Sequence, residues 1–412
     1  MIKMKLFAAA FLLSAPQLLQ AQCDGQRFFS PVFSNVEVVS DNKYGENLDV
    51  DGNNTELFFD FYAPEGDQME ERPLVILAHG GSFIGGERTG ADVVPLANDL
   101  AKHGFAVASI SYRLGIEGFP LGIDSVTASE AVIRAVHDMR AAVRFFRKDY
   151  QAGNGLKIDP NAIYVAGVSA GAFMALHLAY LDEESEIPDY VDQNKPGLTG
   201  GIEGESGNPG FSSEARAVVN IAGALRDKNW LKAGDEPLIS FHGTDDQTVP
   251  YGTDMLTFLG FVDIFVVDGS KSVHDHAVSV GVNSCMETQY GQDHIPHVEN
   301  AQYYDTVLVM TRNFMASDFC NATFSCEYGN VSAVADLSRN TGVSLFPNPS
   351  DGYIQFSSPI NQLKVFNNIG QLVFEKTESS AFSEVDLQRL DPGVFYIVME
   401  DEEHLPQRII LQ

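Results

Sequence analysis

Gly167-Val168-Ser169-Ala170-Gly171 places a serine hydroxyl between two glycines. An apolar run, Ile163 to Val165, precedes it, and an Ala- and Leu-rich stretch to Leu178 follows. Strand, Gly-x-Ser-x-Gly and helix together are the context of a nucleophile elbow. The chemistry this suits is acyl transfer, in which the serine oxygen attacks a carbonyl carbon. The small residues Gly167 and Gly171 let strand and helix pack closely around a sharp turn. The helix N-terminus then offers free backbone N–H groups and positive potential where negative charge develops. A serine in an ordinary glycine-rich turn is the plain alternative, and the flanking periodicity counts against it.

Such a serine needs a base, a carboxylate to orient the base, and donors for the oxyanion. The order expected behind an elbow is Ser, then Asp or Glu, then His, each on a loop at the carboxyl end of a strand. The carboxylate choice is between Asp245 and Asp246, in His242-Gly243-Thr244-Asp245-Asp246-Gln247-Thr248-Val249-Pro250. Asp246 is preferred, because it lies where the chain turns back, whereas Asp245 reads as a turn or capping residue. His242, with an apolar run before it and a glycine after, reads as a buried histidine bonded to backbone. The base is chosen from His274, His276, His294 and His297. His294 is preferred, since it follows a candidate strand and a glycine and precedes an amphipathic helix. His274 is the alternative, and His297 reads as a surface or supporting residue. The His274-x-His276 pair lacks partners at metal-ligand spacing, so no metal is expected, and no cofactor is expected either. His79-Gly80-Gly81-Ser82 follows a buried strand, and its glycines can turn N–H groups inward. The expected oxyanion donors are the amides of Gly81, Ser82 and Ala170.

These residues are far apart in sequence, so a scaffold must assemble them. Pro73 to Ala78, Ala106 to Ser111, Val218 to Ile221 and Leu238 to Phe241 are short apolar runs of the kind buried on both faces of a sheet. Val93 to Lys102, Ser129 to Tyr150 and Glu299 to Met315 read as helices. In the second of these, Val132, Val136, Met139, Val143 and Phe146 fall near one face. The alternation predicts a mainly parallel sheet with helices on both faces, an α/β fold. Asp182 to Ser213 breaks the pattern, being acidic and rich in Gly and Pro. It reads either as a flap over the site or as a surface excursion. A further apolar run spans Phe261 to Val267. From Val343 onward every element looks β, with Tyr353 to Phe356 and Leu363 to Phe366 as two separate strands, giving a small sandwich of about seven strands.

The chain has 412 residues and a formal net charge of −30, which disfavours nucleic acid and anionic membrane surfaces as partners. Lys3 and Lys5, the apolar Leu6 to Leu13 and the small-residue exit at Ala21 read as an export signal of residues 1–21. No later stretch is apolar and long enough to span a membrane. Four cysteines, Cys23, Cys285, Cys320 and Cys326, predict two disulfides in an exported chain, with three possible connectivities. The expected organisation is a signal peptide at 1–21, a catalytic domain at 22–320, a linker at 321–342 and a C-terminal sandwich at 343–412.

His79-Gly80-Gly81-Ser82-Phe83-Ile84-Gly85-Gly86, Ser109-Ile110-Ser111-Tyr112-Arg113-Leu114-Gly115, the Ser169 elbow and the His242 to Pro250 segment occur in that order. Together they resemble the α/β-hydrolase superfamily, near the carboxylesterases, the hormone-sensitive-lipase-like enzymes and the feruloyl and acetyl-xylan esterases. The likeness covers about Phe58 to Ser317. It implies an α/β-hydrolase fold, nucleophile Ser169, base His294, orienting Asp246 and the oxyanion donors above, with an ester as substrate. Ser82 departs from the pattern of the hormone-sensitive-lipase relatives, which carry glycine there. The stretch from Val267 to His294 is longer than in the simplest members. The tail, from Leu345-Phe346-Pro347-Asn348-Pro349 to Arg408-Ile409-Ile410-Leu411-Gln412, resembles the C-terminal sorting domain of the type IX secretion system. That implies export across the outer membrane, with the type IX machinery as partner and a secreted or cell-surface location. A carbohydrate-binding sandwich is the alternative for the tail. The expected function is a secreted serine ester hydrolase; a peptidase or amidase on the same fold, or a non-catalytic binding protein, are the alternatives.

Overall fold

The computed structural model describes residues 23, 26–258, 262–324 and 326, and, in the tail, 345–346, 350, 352–367, 371–390, 392–399 and 407–411. The expected signal peptide at 1–21 and all of the expected linker beyond 326 lie outside the described residues, as does Phe261. The chain divides into two compact units, Met1–Tyr328 and Gly329–Gln412.

In the first unit eight strands form one sheet. They are β1 (Val36–Leu48), β2 (Asn54–Pro64), β3 (Arg72–Ala78), β4 (Ala106–Ile110), β5 (Ile158–Val168), β6 (Val218–Ile221), β8 (Leu238–Gly243) and β11 (Ser284–Gln289). Their order is β1-β2-β4-β3-β5-β6-β8-β11. Pairing is antiparallel from β1 to β4 and parallel from there to β11. β3 shows why the middle strands read as unbroken apolar runs. Leu74 and Ile76 point into one core and Val75 and Leu77 into the other, and all four are fully buried.

Helices α1 (Val94–Lys102) and α5 (Ala301–Phe319) cover one face through Leu96, Leu100, Met310 and Phe314. Helices α2 (Ser125–Gln151), α3 (Ala170–Tyr180) and α4 (Ser270–Val280) cover the other through Val136, Met139, Leu176 and Val273. α2 begins at Ser125, ahead of the Ser129 expected from periodicity, because Asp124 caps it by accepting from the amides of Val126 and Thr127.

The excursion at 182–213 is fastened to the flank of α2. Buried Arg140 donates to the carbonyls of Leu178 and Leu181 and pairs with Glu203, which also holds Arg144. His137 donates to the Gly201 carbonyl, and Arg113, paired with buried Asp138, donates to that of Gly197. Of the two sequence readings, the geometry matches the surface excursion rather than a flap.

A small second sheet was not legible in the sequence. β9 (Thr253–Phe258) and β10 (Val262–Gly269) form an antiparallel pair, with β7 (Ala224–Leu225) on the other side of β10. β9 lacks an alternating pattern, since its first three residues are all exposed. The disulfides are Cys23–Cys320 and Cys285–Cys326, one of the three connectivities left open.

The second unit is an antiparallel sheet of β12 (Leu345–Phe346), β13 (Tyr353–Asn367), β14 (Leu372–Asp386), β15 (Gly393–Met399) and β16 (Gln407–Leu411). Ile354, Leu363, Val365, Ile397 and Ile409 form its core. Five strands are described where about seven were expected. The runs at Tyr353 and Leu363 belong to one long strand, bent by register shifts between Gln355 and Gln362.

Candidate active site

Ser169 ends β5 and caps α3 with φ 52° and ψ −116°, a conformation an L-residue keeps only where its surroundings impose it. Its amide donates to the Ile221 carbonyl at 2.8 Å, and its own carbonyl accepts from Ala172 and Phe173. The two glycines are steric requirements. A Cβ on Gly167 would lie 2.1 Å from the Gly171 backbone, and one on Gly171 would lie 2.2 Å from the Ala78 carbonyl oxygen. The turn therefore presses α3 against the ends of β3 and β5 while leaving the Ser169 hydroxyl at the sheet's carboxyl edge.

Two other strands deliver the partners. β8 leads into the Asp246 loop and β11 into the His294 loop. Ser169 Oγ lies 2.9 Å from His294 Nε2, and His294 Nδ1 lies 2.7 Å from Asp246 Oδ2. Asp246 Oδ1 accepts from the amides of Thr248 and Val249, both at 2.8 Å. The Asp246 side chain is fully buried. Burial alone would raise its pKa, but hydrogen bonds from His242 and His294 hold it well below the usual carboxylate range. Since the carboxylate accepts from Nδ1–H, His294 is left with an unprotonated Nε2 facing the serine hydroxyl.

The other candidates lie elsewhere. Asp245 is exposed and accepts from the Thr244 hydroxyl. His274 stands on α4, with Nδ1 2.8 Å from Ser284 Oγ, and burial lowers its pKa. His276 donates to the Leu231 carbonyl at 3.0 Å. His297 is buried, which pushes its pKa down to about 4.

The glycine loop after β3 is held at its start, and the amides expected as donors are left free. Asp92 accepts from the Gly80 amide at 2.7 Å, and the Tyr112 hydroxyl donates to the His79 carbonyl at 2.9 Å. Gly81 has φ +123°, and a Cβ there would lie 2.1 Å from the Gly85 carbonyl oxygen. Ser82 follows with φ 53°. Among the described residues, no hydrogen bond occupies the amides of Gly81, Ser82 or Ala170. Ser82 and Ala170 line the same cavity as Ser169. Ala170 opens α3, so its amide has no acceptor within the helix.

That cavity has a volume of about 450 Å³. Its walls are Phe83 and Phe173 near the serine, Ile123, Ala128 and Val132 from the entry and first turns of α2, and Leu256, Phe258, Ile264 and Phe265 from the β9–β10 pair. No charged side chain lines it among the described residues, so it suits an apolar group. None of residues 182–213 reaches it.

Sequence reasoning missed three contributors. The wall supplied by β9 had no periodic signal. Asp92, which anchors the glycine loop, stands in an unremarkable turn. His242 does bond to backbone, through the Val249 carbonyl at 3.1 Å, but its Nε2 also lies 3.2 Å from Asp246 Oδ2. The four-residue spacing of His242 and Asp246 was the available signal.

The first unit has the α/β-hydrolase fold. Its mostly parallel sheet, elbow serine and loop order agree with a match of residues 59–202 to the BD-FAE family model. Residues 344–412 match the secretion system C-terminal sorting domain, which marks this α/β-hydrolase as a secreted or cell-surface protein. The chain is 27% identical over 269 residues to isoprenylcysteine alpha-carbonyl methylesterase ICME of Arabidopsis thaliana, covering 57% of this chain and 53% of that protein. It is 30% identical over 139 residues to esterase E4 of Myzus persicae, covering 32% of this chain and 23% of that one. The chain thus spans about half, or less, of the length of these curated relatives. Among solved structures, esterase 2 of Thermogutta terrifontis phosphorylated by paraoxon is 19% identical, with a TM-score of 0.48 over 69% of this chain and 95% of that one. Among the described residues no helix is long and apolar enough to cross a membrane.

Proposed function

We propose that this α/β-hydrolase is a serine carboxylic-ester hydrolase working through an acyl-enzyme. The observation that carries the reading is the unbroken relay from Ser169 Oγ through His294 to the buried Asp246 carboxylate, at 2.9 and 2.7 Å. Ser169 attacks the ester carbonyl as His294 Nε2 takes its proton. Asp246 holds the imidazole in the required tautomer and stabilises the imidazolium. The amides of Gly81, Ser82 and Ala170 receive the oxyanion, whose charge is met by fixed dipoles at the start of α3. His294 then protonates the departing alcohol, and water releases the acyl group by the reverse sequence. The apolar cavity takes the acyl chain. The tail is read as the segment handed to type IX secretion machinery.

Hydrolysis of 4-nitrophenyl hexanoate tests the reading. Ser169→Ala is expected to lower kcat by about 10⁴-fold or more, and an organophosphonate is expected to label Ser169 in the parent chain. Near-normal hydrolysis by the alanine variant would remove Ser169 from the mechanism.

A further inference from the structure

We propose that His242 is a positioning residue that gives Asp246 a second imidazole N–H, on the side away from His294, and thereby sets the basicity of His294. The inference rests on the Ser169–His294–Asp246 reading above and extends it to a residue outside that trio.

His242 is fully buried at the end of β8. Its Nε2 faces two acceptors, Asp246 Oδ2 at 3.2 Å and the Val249 carbonyl at 3.1 Å. A ring nitrogen between two acceptors must carry the proton. The other nitrogen, Nδ1, lies 2.6 Å from the hydroxyl of Ser270, itself fully buried at the start of α4. The proton positions can be followed one bond further. The side-chain carbonyl of Asn220 accepts from the Gly223 amide at 2.9 Å, so its amide group points the other way. That group donates to Ser270 Oγ at 2.9 Å and to Ser240 Oγ at 3.0 Å. The Ser270 hydroxyl has two acceptors within reach, His242 Nδ1 at 2.6 Å and the Gly223 carbonyl at 3.2 Å. Whichever of these receives the Ser270 proton, His242 keeps an N–H on Nε2, facing Asp246 and the Val249 carbonyl. β6, β8 and α4 each contribute a group to this buried chain.

The arrangement makes Asp246 Oδ2 a shared acceptor, between His294 at 2.7 Å and His242 at 3.2 Å. Each N–H given to the carboxylate stabilises its charge and weakens its pull on the imidazolium of His294. Removing the His242 donor should therefore make His294 more basic. The other titratable groups around this centre are Asp293, which accepts from the His294 amide, His297, which adjoins His294, and Tyr251, whose ring meets that of His242 edge-on. None of them donates to Asp246 among the described residues, so the variants below leave the carboxylate with His294 and two amides.

The test compares His242→Leu with His242→Gln, whose terminal amide can restore a donor near Nε2. The readouts are the pH dependence of kcat/KM on 4-nitrophenyl hexanoate and the urea midpoint. His242→Leu is expected to lower kcat/KM by about ten- to a hundredfold, the loss of one hydrogen bond to a charged group, and to move the acid limb to higher pH by about half a unit to one unit. His242→Gln is expected to recover most of both. If His242→Leu does not fold, Ser270→Ala carries the test, because it removes the hydrogen-bond partner that holds the His242 ring at Nδ1 and should move the acid limb the same way by less. An acid limb that stays in place, with both His242 variants equally impaired, would reduce His242 to a packing role and overturn the proposal. That outcome is distinct from failure of the ester-hydrolase reading, which would appear as unimpaired hydrolysis by Ser169→Ala in the same assay.

Discussion

In the proposed mechanism Ser169 and Asp246 meet opposite demands. The serine must be reachable, yet it is held in a left-handed conformation by a turn with no room for a Cβ on either flanking glycine. The aspartate must stay charged, yet its side chain is fully buried. Two amides and two imidazoles surround it, and the balance leaves its pKa well below the usual carboxylate range. Asp246→Asn keeps the shape and removes the charge. With an amide there, the His294 tautomer is no longer dictated, and kcat is expected to fall by about 10⁴-fold with KM little changed. Turnover by the asparagine variant within tenfold of the parent would show that the carboxylate does not orient the base. The same depressed pKa predicts that the pH profile of the parent shows no step from the Asp246 carboxylate near pH 4.

Among the elements, the parallel strands announced themselves and the cavity wall did not. β3, β4, β6 and β8 are buried on both faces, so their sequences are mainly apolar runs. Ser169, Asp246 and His294 could be put forward together because a parallel sheet brings its loops to one edge, where the three side chains meet. His294 was separable from His274 only by its place after a strand. In three dimensions His274, on α4, is turned towards Ser284 at the start of β11. β10 was visible only as an apolar run, and β9 escaped notice because its first three residues are exposed; the apolar residues of the pair line the cavity and pack against the core. The tail strands were found but divided wrongly, since a bend in a long strand looks the same in sequence as two short ones. The β9–β10 wall and the first turns of α2 should set acyl preference. At about 0.8 kcal/mol per buried methylene, kcat/KM should rise about fourfold for each added carbon until the cavity is full. Ala128→Phe, placed in the cavity from α2, should cut short that rise and move the preference towards acetyl esters. A parent profile that is flat from acetyl to hexanoyl would mean that the acyl group does not enter this cavity.

Taken whole, the first unit buries histidines that are neutral in the fold. Burial lowers the pKa of His103, His177 and His297 to about 4 and that of His137 to about 3. In the unfolded chain each titrates near the ordinary value of about 6.5. Above that value neither state holds the proton, and the stability is fully present. Between about 6.5 and about 4 only the unfolded chain takes it up, so each histidine removes about 1.4 kcal/mol of stability per pH unit as the pH falls. The urea midpoint should drop steeply from pH 7 to pH 5, and a midpoint unchanged over that interval would contradict the burial of these rings. The cross-links bear on a different hazard. Cys320 is tied to Cys23 and Cys326 to Cys285 on β11, so the last described stretch of the first unit is anchored to earlier parts of the chain at two points. A protease that clips the backbone downstream of Cys326 would leave the first unit free of the sorting tail with its closing helix α5 still cross-linked at Cys320.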